Sequence, residues 1–256
     1  IDKIKTGHIF YVSYIERRMK SEDANRNKNI NAITIWLYAN AFMVFAIMII
    51  GAITRLTESG LSMVEWRPLI GAIPPLSENE WVRVFEIYKQ TPEYQQKNFW
   101  MDLPDFKNIF FWEWFHRFWG RLIGLVYALP LAYFWLRGMI PPGYTLKFTG
   151  LLLLGAGQAV MGWYMVESGL IDIPAVSHYR LAAHLSLAFI ILACLLWLAF
   201  SLTQAPKHAD QSVFYHGLAS LTVLSITIIW GAFVAGLDAG LVYNEYPLMG
   251  GSIIPP

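Results

Sequence analysis

The chain of 256 residues has a single cysteine, Cys194, so no disulfide can form within it whatever the redox state of its surroundings. Charged residues make up only 14% of it, where a soluble domain averages roughly a quarter. With 19 Lys+Arg against 18 Asp+Glu, the net charge of +1 gives no electrostatic basis for nucleic-acid binding. A signal peptide is also lacking: residues 1–33 are polar and carry Lys3, Lys5, Arg17, Arg18, Lys20, Arg26 and Lys28. The first residue is Ile rather than Met, so the true start is expected upstream.

Apolar residues, by contrast, are abundant. The chain is 56% hydrophobic and 16% aromatic, with a mean hydropathy of +0.42. Crossing a bilayer core of about 30 Å takes roughly 20 helical residues. Five stretches are long enough: 34–54, about 112–137, 145–166, 181–203 and 213–235. An all-α polytopic membrane protein is the expected class, with the lipid bilayer as its first partner. The basic N-terminal segment, together with Arg137, Lys147 and Lys207 in the links after segments two and four, puts the N-terminus inside by the positive-inside rule. Segments one, three and five then exit on the outer face.

Those three exits share a motif: "RLTESGLSM" (55–63), "MVESGLIDI" (165–173) and "AGLDAGLVY" (235–243). The first and third copies extend further, "GAITRLTESGLSMVEWRPLIGAIPP" (51–75) resembling "GAFVAGLDAGLVYNEYPLMGGSIIPP" (231–256). Gly51 pairs with Gly231 and Gly60 with Gly240 at a constant offset of 180; with two single-residue gaps, Pro68 matches Pro247 and Pro74-Pro75 match Pro255-Pro256. One offset holds four hydrophobic segments, which predicts a four-helix transmembrane bundle followed by the first helix of a second, truncated bundle. The expected organisation is a polar N-terminal segment (1–33), a first bundle (34–203) with an outer loop (55–111), and the start of a second bundle (204–256). Glu58 and Glu167 read as helix-end residues rather than catalysts.

Within the outer loop, "SENEWVRVFEIYKQ" places Ser77 three residues before Glu80, a capping-box pattern. Trp81, Val84, Phe85 and Tyr88 then share one helical face, predicting an amphipathic helix on the membrane or over the bundle mouth. Pro92 and Pro104 interrupt the remainder of the loop, and Asp105 is a candidate cap for segment two.

Segment two opens "FFWEWFHRFWGRLIGLVY", with Glu113, His116, Arg117 and Arg121 among aromatics. Its uncharged remainder, 122–136, spans only about 22 Å at 1.5 Å per residue. The membrane must take in part of the charged stretch, or other helices must bury it, and ionisable groups there are costly and functional by default. Glu113 and Arg117, four apart, can form an ion pair. In segment four, "SHYRLAAHLSLAF" sets His184 at the outer end of an uncharged run, with His178 and Arg180 further out. His116 and His184 therefore lie in one leaflet on two helices of one bundle. A haem iron takes two axial imidazoles from facing helices, and a bundle interior suits its flat apolar ring. Zinc is less suited, with two converging histidines and no cysteine beside them. The plainer alternative is that each histidine hydrogen-bonds a neighbouring helix. His8, His208 and His216 read as solvated or interfacial.

These residues resemble the heme A synthase family of cytochrome oxidase maturation, most nearly its alphaproteobacterial and mitochondrial branch. The likeness rests on "GAITRLTESGLSMVEWRPLIGAIPP", "EWFHRFWGRLIGLVY", "GWYMVESGL", "YRLAAHLSLA" and "GAFVAGLDAGLVYNEYPLMGG". It implies oxidation of a ring methyl of heme O to a formyl group with oxygen derived from water, with heme O in the N-terminal bundle and a heme b cofactor in the C-terminal one. It implies further that His116 and His184 are axial ligands to the substrate iron and that Glu113, the candidate catalytic residue, is the acidic residue near them, for proton handling or substrate positioning. Arg117, Arg121, Arg55 and Arg180 are our candidates for the propionates. The histidines expected for heme b would lie beyond Pro256, and the outer-loop cysteine pair of some relatives is absent. The implied setting is a bacterial cytoplasmic (inner) membrane, or alternatively the mitochondrial inner membrane. The heme O-producing enzyme and a homo-oligomer are the partners to consider. A b-type electron-transfer protein and a non-catalytic assembly scaffold are the competing readings; Glu113, one turn from His116, favours chemistry.

Overall fold

A computed structural model describes residues 2–65, 70–167, 170, 174–204, 210–245 and 247–253, with side chains from residue 18 on, Ile70 excepted. Pro68, Ser168, Gly169, Lys207, His208, Pro255 and Pro256 fall outside the described residues, as does the side chain of His8. The described residues form helices α1 (Asp2–Leu56), α2 (Glu78–Tyr88), α3 (Leu103–Leu136), α4 (Thr145–Glu167), α5 (His178–Thr203), α6 (Gln211–Gly236) and the short α7 (Ala239–Val242). Five of them, α1 and α3 to α6, are long and apolar enough to cross a membrane, and the protein is a polytopic all-α membrane protein. Helix α1 packs on α3 and α5, and α4 packs on the same two. Helices α3 and α5 therefore occupy opposite corners of a four-helix bundle, while α6 lies outside against α5.

Two boundaries differ from the sequence expectation. The polar segment 1–33 is not separate from the first span: from Asp2 it is continuous helix with it. Helix α3 begins at Leu103, nine residues before the expected start of segment two. Its cap is Asp102, not Asp105: Asp102 accepts from the Asp105 amide (3.1 Å), and Asp105 reciprocates by accepting from the Asp102 amide (3.3 Å). Pro104 sits in the first turn, where no backbone donor is required, so it starts the helix instead of breaking it.

Pro130, deeper in α3, has no N–H to offer the carbonyl of Val126 four residues back. In a bilayer no water replaces that bond. The Trp36 indole of α1 does so, donating to Val126 O at 2.9 Å. Its ring packs on Tyr127, Phe134 and Phe148 with centroids 4.6, 5.5 and 5.7 Å away. Tyr127 donates to Phe148 O (2.9 Å), which ties α3 to α4 in the same core. This aromatic knot anchors the end of the bundle away from the long loop.

At the loop end, α1 and α6 stop in the same way 180 residues apart. Thr57 N donates to Ile53 O and Leu237 N to Phe233 O, both at 2.9 Å. Glu58 and Asp238 follow, each with a left-handed φ of +51°. The acid of the repeated motif is the residue that turns the chain out of its helix. Arg55 donates to Asp238 and to Ala235 O, joining the two helix ends.

Helix α2 begins at the expected cap, Ser77, whose hydroxyl accepts from the Glu80 amide. Its apolar face does not lie on lipid. Phe85 stacks on Phe106 at 5.0 Å, Trp81 meets Phe110 edge-on at 5.0 Å, and Tyr88 is fully buried. The early start of α3 supplies this partner surface and turns the loop into a packed cap. Inside the cap, Tyr88 donates to Glu93 (2.9 Å) and accepts from the Asn98 amide (2.8 Å).

Burial pushes the Glu93 carboxyl up to about 7 from an ordinary 4.5, although the Tyr88 hydrogen bond pulls the other way. A carboxyl that holds its proton more tightly when folded stabilises the cap in full below about pH 4.5, and this contribution is lost as pH rises through about 7. The wild type should therefore lose up to about 3 kcal/mol of cap stability between those limits. Thermal unfolding followed from pH 4.5 to 8 checks this, with Glu93→Gln giving a flatter profile.

Candidate functional site

Helix α3 carries Glu113, Arg117 and Arg121 on one stripe at four-residue spacing, with His116 beside them. Glu113 is only 3% exposed. A bare carboxylate at that depth would be costly, and Arg117 compensates by donating to Glu113 Oε1 and, through Nη2, to the Met63 carbonyl at 3.2 Å. The pair thus fixes the chain just after α1 to the middle of α3. Arg121 is half-buried one turn on, close enough to Arg117 to feel its charge.

Each of the two histidines sits on a glycine of the neighbouring helix. A Cβ at Gly51 of α1 would lie 3.2 Å from His116 Nε2, and one at Gly162 of α4 would lie 3.1 Å from His184 Cε1. Both glycines are five residues from the last residue of their helix, Leu56 and Glu167. His116 on α3 thus packs against α1 and His184 on α5 against α4, each near the loop end of its neighbour.

The site also holds a residue that sequence reasoning missed. Gln158 of α4 donates to the His184 carbonyl at 3.0 Å, and its amide nitrogen is 3.5 Å from His184 Nε2. Its own Oε1 and the Nδ1 of His184 are buried without a hydrogen-bond partner. Buried polar atoms are normally satisfied, and an imidazole with bonding capacity in an apolar bundle is the donor type that suits a haem iron. The available signal was Gln158 itself, an amide inside a span, four residues before the glycine of "GWYMVESGL".

Arg180 lies at the rim, one turn before His184, stacked over the Tyr164 ring (3.9 Å to its centroid) and donating to the Tyr164 hydroxyl (3.0 Å). Arg55 does not join this group, since Asp238 and Ala235 engage it. His178 packs against α6, where a Cβ on Gly236 would come within 2.7 Å of its own Cβ, and its ring meets Phe233 edge-on at 5.6 Å. These contacts join α5 to α6. A cavity of 390 Å³ opens beneath α2, lined by Met63, Val64, Pro74, Pro75, Val84 and Phe110 among others, but neither histidine borders it.

The family profile described as "Cytochrome oxidase assembly protein" matches residues 34–256. A protein of Rhodospirillum centenum named "Heme A synthase" is 53% identical over 88% of this chain and 61% of its own length. Proteins of the same name from Nitrosospira multiformis and Agrobacterium fabrum are each 49% identical, over 88% and 94% of this chain and 64% and 66% of theirs. The chain thus spans 61% to 66% of the length of these relatives. No solved structure matches it significantly.

Removing one member of a buried ion pair strands the other. Arg117→Met should cost about 3–5 kcal/mol, whereas Glu113→Gln, which keeps an acceptor for Arg117, should cost less. Thermal unfolding in detergent of the two variants beside wild type checks the ordering.

Proposed function

The chain belongs to the cytochrome oxidase assembly protein family, and from that premise we propose that the whole protein works as a heme A synthase. In this reading it oxidises a ring methyl of heme O to a formyl group with oxygen taken from water. The observation that carries the reading is the pair His116 and His184, each seated on a glycine of the adjacent helix, on the two helices that stand at opposite corners of the bundle. Two such imidazoles suit the two axial positions of one haem iron, here that of the substrate. Residues 34–203 then form the substrate bundle, and the segment from 204 opens a second unit. A heme b cofactor belongs, in the same reading, to the part of the relatives that this chain does not span; it would accept the electrons.

Each hydroxylation, R–CH3 + H2O → R–CH2OH + 2H+ + 2e−, adds oxygen and releases two protons and two electrons. A second converts the alcohol to a gem-diol, which loses water to give the formyl group. Glu113 is the base that takes a proton from the reacting water, and Arg117 holds its carboxylate in place through Oε1. Arg180, fixed by Tyr164, and Arg121 are the propionate partners we favour. Arg117 and Arg55, bound to carboxylates, serve that role less directly. A buried carboxylate one turn from a ligand is what distinguishes this from a simple electron carrier. The setting we propose is the bacterial inner membrane, or alternatively the mitochondrial one, with the N-terminus inside. The heme O-producing enzyme is the natural donor, and a homo-oligomer is compatible with the lipid-facing surface.

The test is to express the whole protein with a supply of heme O and resolve the extracted hemes by chromatography and mass. Wild type should yield heme A, and His116→Ala or His184→Ala should reduce it to background. Glu113→Gln should slow turnover about a hundredfold or more, as expected for loss of a general base, while heme O content stays near wild type. Absence of heme A from wild type would overturn the reading.

A further inference from the structure

Among the described residues two carboxylates are buried, Glu113 at 3% exposure and Glu93 at 4%, and the proposed reaction employs only the first. Glu93 lies in the cap, hydrogen-bonded to Tyr88, whose ring stacks on Phe106 at 5.0 Å, and Phe106 is two turns before Glu113 on α3. Glu58 stands at the exit of α1, and Lys97, four residues on from Glu93, belongs to the π-turn Tyr94–Asn98. Those two approach each other to 3.9 Å, with side chains 47% and 40% exposed. The carboxylates thus lead from the bundle to water: Glu113 buried on α3, Glu93 buried in the cap above Phe106, and Glu58 with Lys97 exposed at the surface.

The hydrogen bonds around Glu93 have a direction. Asn98 donates to the Tyr88 hydroxyl at 2.8 Å, and Tyr88 donates in turn to Glu93 Oε2 at 2.9 Å. With that oxygen occupied by an incoming donor, a proton bound to Glu93 rides on Oε1 and can leave from there. Tyr88, Asn98 and Thr91 are all buried, so the carboxyl is held rigidly rather than left to fold back on itself.

Every turnover in the proposed reaction must clear protons from beneath this cap. We propose that Glu93 is the proton-carrying group between Glu113 and the solvent at Glu58 and Lys97, with water molecules bridging the intervals. The inference rests on the heme A synthase reading, in which two protons and two electrons leave at each hydroxylation and a redox cofactor outside this chain, with heme b as the candidate, would take the electrons. A carboxyl poised to gain and lose a proton near neutrality suits this task, and burial gives Glu93 that property.

The test uses the whole protein supplied with heme O and measures heme A formation from pH 6 to 8, in H2O and in D2O, beside total bound heme. Glu93→Gln keeps an acceptor for Tyr88 and preserves the cap. It should lower turnover roughly tenfold or more, toward the range that acid–base groups contribute, with bound heme unchanged and the wild-type change in rate near pH 7 absent. Glu93→Asp, which retains a carboxyl, should recover most of the rate and a pH dependence. Wild-type rate and pH profile in Glu93→Gln would overturn the relay. So would equal losses in the Gln and Asp variants, or a fall in bound heme proportional to the fall in rate, since each marks a structural role. A wild type that forms no heme A would instead overturn the reading on which the relay rests.

Discussion

In the hydrocarbon core no water answers a polar group left without a partner, and this constraint organises the bundle. Pro130 leaves the Val126 carbonyl open, and Trp36 reaches across from α1 to close it. Glu113 brings a carboxylate into the protein, and Arg117 neutralises it while gripping the Met63 carbonyl. Both devices join α3 to the α1 side of the bundle, one at each end. Between them α3 is held at a fixed height, and that height determines where His116 meets Gly51. Among the buried atoms without a hydrogen-bond partner, His184 Nδ1 and Gln158 Oε1 lie together at the imidazole expected to bind, whereas Thr34 Oγ1 and Asn40 Oδ1 lie on α1.

The repeated acid-small-Gly-Leu motif serves the helix ends in the same way. Glu58 and Asp238 take up the left-handed conformation that stops α1 and α6, and only Asp238 also receives an arginine, Arg55. A carboxylate is thus used twice as a terminator and once as an interhelical clamp. The cap extends the logic above α3. Its aromatic face covers Phe106 and Phe110 and encloses Tyr88, Glu93 and Asn98, so that a polar triad sits between the bundle and water.

Much of this was legible in the chain itself. Five apolar spans, the Ser77 cap, the apolar face from Trp81 to Tyr88 and the Glu113–Arg117 spacing are local patterns, and local patterns survive into the fold. The family resemblance drawn from the motifs agrees with the family match over residues 34–256. What escaped was tertiary. Pro104 reads as a breaker unless one knows that Asp102 caps just before it. Gly51 and Gly162 look like ordinary small residues of membrane helices until an imidazole is set against each. Arg55 looks like a rim cation until α6 brings Asp238 beside it. The continuity of α1 back to Asp2 was hidden because its polar residues carry no apolar period.

The central claim is that His116 and His184 bind one haem from opposite corners of the bundle. The most direct measurement is electron paramagnetic resonance of the ferric, heme O-loaded whole protein, comparing wild type with His116→Ala and His184→Ala at equal substrate heme content. The expected result is a low-spin signal for the substrate heme in wild type that is lost from each variant, because either substitution removes one of two axial imidazoles. A low-spin substrate signal that persists unchanged in either variant would contradict the claim.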